Sequence, residues 1–455
     1  MLRTLSTPSG AARRIACAAT GAVFAAALSS CAPVALYRGP GPAPGAITAF
    51  AGATSPHFVA GSTDTASHYL GALEAQPGAD SLVVLICGDN RPGARTRVHP
   101  TLWRAVHKMS IKNPYKLGRG LLALPVFLVA MIVPTLDGPR DALALCTGVP
   151  TGGGEVRVLK SMEAQLPADL ILSSGDLVTY GDRGKLWEIF VARFGPLRTR
   201  APFLAAPGNH ERTADPTARA NWASAMGPLA RERRFWYTLD APEADARFVF
   251  LDSNALRDSR EGEAADLAEE QLAWADSVLA AGPRRRFIIL HHGLLSGGHY
   301  RDVWRSNRPE SVAARRRVRL LEICAARHVT ALFAGHEHMY QRAYVEAPGG
   351  GFWHITSAGA GAPLYSLDPG VRDIELAKPL PEGLRIVPAS VNARSVYHFC
   401  RLVLPRGDAA DRPLALDVLR VGAGGGATRM DRIDVGRAPG AVPAASAAPG
   451  PTSAP

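Results

Sequence analysis

Two histidines one residue apart in Gly335-His336-Glu337-His338, with Gly175-Asp176 and Gly208-Asn209-His210-Glu211 upstream, supply side chains that bind divalent metal ions. Each group follows a short apolar run. Leu170-Ile171-Leu172 precedes Asp176, Phe203-Leu204 precedes Asn209, Phe287 to Leu290 precede His291-His292, and Ala331-Leu332-Phe333 precedes His336. Val83 to Ile86 lead into Gly88-Asp89-Asn90-Arg91 in the same way. Apolar runs of this length, closed by turn residues, read as buried strands. A lone histidine at a strand end is most simply a satisfied core residue. Five strand ends carrying Asp, Asp, Asn, His and His-x-His instead predict ligands gathered along one sheet edge around a metal centre.

The elements that would hold these residues alternate along the chain. Apolar spacing predicts helices over Val156 to Leu166, Leu186 to Phe194, Ala268 to Leu279 and Val312 to Arg327. The arginines at 315, 316, 317 and 319 are expected on a solvated face of the last one. The later chain is strand-rich, at Gly351 to Thr356, Ser395 to Leu404 and Leu414 to Val421. Alternating elements followed by strands predict a two-sheet core flanked by helices.

The chain has 455 residues, 47% of them hydrophobic, which excludes wholesale disorder and allows one large domain or two smaller ones. Its formal charge of +11 favours anionic partners, but no basic block is interleaved with aromatics, so no nucleic-acid role is expected. Arg3, Arg13 and Arg14 precede an apolar stretch from Ile15 to Leu28 and then Leu28-Ser29-Ser30-Cys31, the pattern of an export signal with a bacterial lipobox. Residues 1–31 are therefore expected to be a signal peptide, with Cys31 lipidated and the protein anchored at the cell envelope, on the periplasmic side. Residues 32–79 read as a Gly/Ala/Pro/Ser-rich tether, 80–435 as the folded domain and 436–455 as a disordered tail.

Residues 95–152 form an unusual insertion. Arg104, His107, Lys108, Lys112, Lys116 and Arg119 precede an apolar run at 121–134 that contains Pro125 and Pro134. A spanning helix needs roughly 20 apolar residues, so this run suits either an interfacial segment or a buried hairpin or helix. Cys87, Cys146, Cys324 and Cys400 are too few and too dispersed for a disulfide scaffold, and Cys87 and Cys324 read as core residues.

Taken together, Gly88-Asp89, Gly175-Asp176, Gly208-Asn209-His210-Glu211, His291-His292 and Gly335-His336-Glu337-His338 resemble the calcineurin-like metallophosphoesterase superfamily over residues 82–404. The extension Met339-Tyr340-Gln341-Arg342 is similar to its purple acid phosphatase branch. The resemblance implies an α/β fold, a four-layer α/β/β/α sandwich with two mixed sheets. It also implies two divalent metal ions (Mn, Zn, Fe or Mg). Asp176 would bridge them, with Asp89 and His338 on one ion and Asn209, His291 and His336 on the other. The family's placement of its ligand favours His291 over His292. Two divalent ions neutralise a phosphoester and make hydroxide from bridging water, which attacks phosphorus in line. His210 would stabilise the transition state or protonate the leaving oxygen, with Glu211 as its carboxylate partner.

Two positions depart from the family pattern. Arg91 stands where many members carry a histidine, and a guanidinium cannot ligate a metal, though its planar fork can hold a phosphate oxygen. Thr179, rather than a tyrosine, lies three residues after Asp176, with Tyr180 one later. The sequence thus predicts an envelope-tethered phosphohydrolase for phosphomonoesters or phosphodiesters, with His210, Glu211 and Arg91 as catalytic candidates. The alternative is a membrane-anchored, catalytically impaired binding protein of the same fold. His299, Tyr300, Tyr340 and Arg342 are candidates for the substrate rim. If residues 121–134 enter the bilayer beside the metals, the substrate would be a lipid-linked phosphate.

Overall fold

A computed structural model describes residues 58–60, 68–73, 79–91, 154–211, 213–226, 234–300, 303–304, 308–365, 367, 380–407 and 412–440. The signal segment, Cys31, Cys146 and the whole 95–152 insertion lie outside the described residues, so the expectations for them stand untested by the fold.

The strands, in chain order, are β1 (Phe58–Ala60), β2 (Tyr69–Leu73), β3 (Ser81–Cys87), β4 (Leu170–Ser173), β5 (Phe203–Ala205), β6 (Tyr237–Ala241), β7 (Ala246–Phe250), β8 (Arg285–His292), β9 (Ala331–Gly335), β10 (Tyr340–Ala347), β11 (Gly350–Ser357), β12 (Arg385–Arg394), β13 (His398–Pro405), β14 (Ala415–Val421) and β15 (Ala427–Asp434). They build two mixed sheets, a nine-stranded one in the order β1-β2-β6-β7-β8-β9-β11-β10-β12 and a six-stranded one in the order β15-β14-β13-β3-β4-β5. All five strands that lead into the candidate ligands lie in the parallel parts of these sheets: β3, β4 and β5 pair in parallel, as do β8 and β9. Parallel strands point their C-terminal ends the same way, where open α/β sheets place their sites.

Side-chain alternation separates the two faces of the larger sheet. Phe287, Ile289, Phe333, Phe248 and Phe250 face the six-stranded sheet and share a core with Val84, Leu85, Leu172 and Leu204. Their neighbours Ile288, Leu290, Leu332 and Val249 face outward onto the helices Glu263–Ala280 and Val312–Ala326, meeting Leu272, Leu279, Leu320 and Leu321. Period-two alternation over strands buried on both faces produces this pattern. On the far side of the smaller sheet, Val158, Met162, Trp187, Phe194 and Trp222 from helices Gly154–Glu163, Gly184–Arg198 and Pro216–Met226 close the core. The layering is the expected helix, sheet, sheet, helix.

Several sequence expectations need correction. The supposed tether contributes β1 and β2, and β2 pairs in parallel with β6 at the sheet's end, so the folded body begins before residue 80. The tail is packed at its start, where Trp353 Nε1 donates to the Arg437 carbonyl at 2.9 Å. The first helix stops at Glu163 rather than Leu166; Leu166 precedes Pro167, and a residue before proline is biased out of the helical region. Arg316 and Arg317 are buried, not solvated. Arg316 Nε donates to Glu269 at 2.7 Å, and Arg317 Nε donates to the Leu294 carbonyl at 2.6 Å, tying the helix to the strand-end loop after β8. Cys87 and Cys324 are buried and free, as is Cys400. Among the described residues no helix is long and apolar enough to cross a membrane.

Candidate metal centre

The strand ends turn sharply. Asp89 (φ 57°), Asp176 (φ 56°), His336 (φ 74°) and His338 (φ 44°) all have left-handed backbone, four of the seven described non-glycine residues that do. Such conformations cost energy and concentrate where a site demands them. Gly175 (φ 96°) precedes Asp176, and a Cβ there would sit 2.5 Å from the Gly208 nitrogen, so the Asp176 and Asn209 turns approach closely only because both glycines lack side chains.

The imidazoles share one arrangement. His291 Nδ1 contacts the Ser174 carbonyl at 2.9 Å, His338 Nδ1 the Pro363 carbonyl at 2.6 Å, and His210 Nδ1 the Thr179 carbonyl at 2.7 Å. A carbonyl only accepts, so each ring donates from Nδ1 and carries its lone pair on Nε2. That is the way metal-binding histidines are oriented. His291 Nε2 faces Asn209 Oδ1 at 3.0 Å, Asp176 Oδ1 at 3.4 Å and His336 Nδ1 at 3.2 Å. His338 Nε2 lies 3.4 Å from Asp89 Oδ1. Nitrogen and oxygen lone pairs held this close in a buried site repel unless a cation or shared proton lies between them. Asp89 Oδ1 and His336 Nε2 are, in addition, buried without hydrogen-bond partners. The donor atoms of Asp89, Asp176 and His291 all fall within 4.8 Å of one another. These residues fit a divalent metal ion.

Charge follows the same pattern. Burial pushes the Asp176 carboxyl up, but His291, His210 and Arg91 outweigh it and hold the group well below the ordinary carboxylate range. Asp89 is pushed up to about 7 by burial, with Asp176 adding to it and His291 opposing. Burial also lowers His210, His336 and His338. Neutral imidazoles and one firmly charged carboxylate are the forms a metal takes.

Alternation along β8 separates its paired histidines. His291 shares parity with Phe287 and Ile289 and faces Asp176 and Asn209. His292 points to the helix side, where its Nε2 accepts from Arg257 at 2.7 Å and its Nδ1 meets Ser253 Oγ at 2.8 Å. A guanidinium only donates, so the Nε2 lone pair of His292 is already used. Although His292 falls within a compact group with His291 and His336, its fixed bonds make His291 the better placed ligand.

Glu211 differs from its expected role. It does not touch the His210 ring. Its Oε2 accepts from the backbone N–H groups of Asp176 at 2.8 Å and Gly208 at 2.6 Å, and its Oε1 from Leu177 at 2.7 Å and Val178 at 3.2 Å. A fully buried carboxylate thus clamps the Asp176 turn to the Asn209 turn, while Thr179 positions His210. Burial and Asp176 push Glu211 up to about 8, against the backbone donors that favour its charged form. The His210 N–H completes the clamp by donating to Asp176 Oδ1 at 3.0 Å.

Of the rim candidates, His299 and Tyr300 lie at the mouth, with the Tyr300 ring 4.5 Å from that of His336. Tyr340 and Arg342 do not. Both point away to Asp431, the Tyr340 hydroxyl at 2.8 Å and Arg342 Nε at 2.7 Å, and brace β15. Two residues were missed by sequence reasoning. Tyr365 stacks on His338 at 4.3 Å with the rings 5° apart, and no motif surrounds it. Glu337, inside the His-x-His motif, accepts from the Ser296 hydroxyl and from the Tyr300 N–H at 3.0 Å, which fixes the loop carrying the rim. A cavity of about 390 Å³ opens beside Asn209, lined in part by Phe235, Asn254, Ala255 and Leu267.

The family model for calcineurin-like phosphoesterases matches residues 154–340, the segment that carries Asp176, Asn209, His291, His336 and His338. Residues 154–340 are thus similar to the calcineurin-like phosphoesterases. Two Arabidopsis thaliana proteins, probable inactive purple acid phosphatases 27 and 24, are 24% and 25% identical to it over 190 residues, 38% of this chain and 29% of each relative. The chain thus matches less than a third of their length. The purple acid phosphatase PPD1 from yellow lupin (Lupinus luteus) seeds shares the fold with a TM-score of 0.50 at 17% identity, over 82% of this chain and 58% of that one. The two mixed sheets are consistent with the fold of that phosphatase.

Proposed function

We propose that this chain is a metal-dependent phosphohydrolase that cleaves phosphomonoesters or phosphodiesters at the cleft between Asp89, Asp176, His291 and His338. The observation that carries this reading is the convergence of imidazole Nε2 atoms, oriented by backbone carbonyls that take the Nδ1 protons, on two buried carboxylates. A divalent metal bound there supplies positive charge to the phosphoryl group and lowers the pKa of water from 15.7 to about 7. The chain's own residues do the rest. Glu211 holds the Asp176 and Asn209 turns in register, Asp176 and Asn209 present oxygens, and Tyr300 and Tyr365 shield the rim from bulk water. His210 Nε2, 3.9 Å from Asp176 Oδ2, is placed to pass a proton to the departing alcohol oxygen; burial lowers the ring's pKa, and the carboxylate partly opposes that. The cavity beside Asn209 offers room for that alcohol.

Export and anchoring at a bacterial envelope through lipidated Cys31 are part of the proposal, supported by the Arg3 to Cys31 pattern. Palmitate labelling that disappears in Cys31→Ala tests this. The basic and apolar run at 104–134 supports contact with the bilayer and a lipid-linked phosphate as substrate. Its deletion would then impair turnover in vesicles more than turnover of a soluble ester.

A chromogenic panel of phosphomonoesters and phosphodiesters, with Mn²⁺, Zn²⁺, Fe²⁺ or Mg²⁺ added to chelated protein, tests the activity. Turnover restored by metal and absent in Asp176→Ala supports the enzyme. A folded protein that binds metal without turning over any ester supports a second reading, a binding protein on the same fold. The names of the Arabidopsis relatives and the presence of Arg91 favour that alternative.

A further inference from the structure

The position that the fold would give to a first metal already holds a cation of the chain itself. Arg91 Nε donates to Asp176 Oδ2 at 3.1 Å, and its Nη2 lies 3.4 Å from His338 Nε2. His338 donates from Nδ1 to Pro363, so its Nε2 can only accept, and the guanidinium can only donate. The arginine therefore consumes one oxygen of the would-be bridging carboxylate and the single lone pair of the imidazole. It is 9% exposed, and its backbone N–H is fixed to the Asp176 carbonyl at 3.1 Å. The other side of the centre has no such occupant. There Asp176 Oδ1, Asn209 Oδ1 and His336 Nδ1 converge on His291 Nε2, and Asp89 Oδ1 is buried without a hydrogen-bond partner.

We propose that this protein takes one divalent metal ion, bound by His291, Asp176 and Asn209 with His336 and Asp89 beside them, and that the Arg91 guanidinium replaces the second ion. A divalent ion placed among Asp89, Asp176 and His338 would have to displace the guanidinium from both its acceptors and then lie within a few ångströms of a fixed positive charge, in a buried site where such repulsion is weakly screened. Arg91 keeps its charge throughout, since guanidinium does not deprotonate in proteins. It supplies one of the two cations that a phosphoryl group needs, through a planar fork suited to its oxygens. This rests on the reading of the centre as a metal site, and the test separates the two.

The test is metal content of the full-length protein after equilibration with Mn²⁺ and desalting, read by mass spectrometry, together with its electron paramagnetic resonance spectrum. Wild type is expected to hold one Mn²⁺ per chain with the six-line signal of an isolated ion. Arg91→His, which removes the fork and adds a ligand, is expected to hold two with an exchange-coupled signal. His338→Ala should leave the wild-type count at one, whereas His291→Ala should take it to zero. Two coupled ions in wild type, with one lost in His338→Ala, would overturn the inference and leave the metal-site reading standing. No bound Mn²⁺ in folded wild-type protein would overturn both.

Discussion

The two ends of the metal centre are built from similar residue types and do different things. At one end His338 faces a guanidinium that is locked to Asp176; at the other, Asn209, His291 and His336 face one another with no arginine or lysine of the described residues bonded to them. The difference arises from one residue two positions after Asp89. Position within a motif thus says less than what the side chain brings. A histidine at 91 would add a lone pair, whereas arginine adds a charge and removes two acceptors.

Substitutions sharpen this contrast, from the largest effect down. Asp176→Ala touches both ends, freeing Arg91 and stripping the other end of its carboxylate, and should leave hydrolysis at the buffer rate in a chain that retains its circular dichroism spectrum. His210→Gln should lower kcat by roughly 10²–10⁴-fold with little change in metal content, as expected for loss of a general acid. A fall in metal content equal to the fall in rate would instead make His210 a ligand. Glu211→Gln should weaken metal affinity by about 10–100-fold, since it loosens the clamp under both turns rather than the ligands themselves. It should also reduce unfolding stability by about 1–3 kcal/mol through unsatisfied backbone donors, measurable by urea titration. His292→Gln should leave metal affinity unchanged and lower stability by about 1–3 kcal/mol, because Arg257 and Ser253 lose a buried partner. Equal metal loss in His291→Ala and His292→Gln would erase the distinction drawn along β8. Tyr340→Phe is the mildest, about 1 kcal/mol for its bond to Asp431, with turnover unaffected.

Much of the site is written locally and was therefore readable. A buried strand followed by glycine and a ligand is a contiguous signal, and parallel pairing places its end at one edge without further information. Choosing between His291 and His292 was also within reach, since parity with Phe287 and Ile289 assigns the inward face. The role of Glu211 was not. A carboxylate next to a histidine suggests an imidazole partner, but of the four backbone donors it meets three come from the turn at Asp176, Leu177 and Val178, 33 to 35 residues upstream, and one from Gly208, and only the fold brings them together. Tyr365 lay in a segment with no pattern, and its contact with His338 depends on long-range packing. Tyr340 and Arg342 misled for the opposite reason. They follow the metal motif directly, but β10 carries them away from the cleft to Asp431, which no local feature links to them. The sheet-pairing strand Tyr69–Leu73 was hidden in Gly- and Ala-rich sequence because parallel pairing with β6 adds order that composition does not encode.

Crystals of the protein grown with Zn²⁺ and measured at the zinc absorption edge test the central claim most directly. An anomalous peak is expected at about 2.0–2.2 Å from His291 Nε2 and from oxygens of Asp176 and Asn209, the distances of zinc–nitrogen and zinc–oxygen bonds. An edge scan showing zinc in the crystal, with no peak among these residues or peaks only on the protein surface, would contradict it.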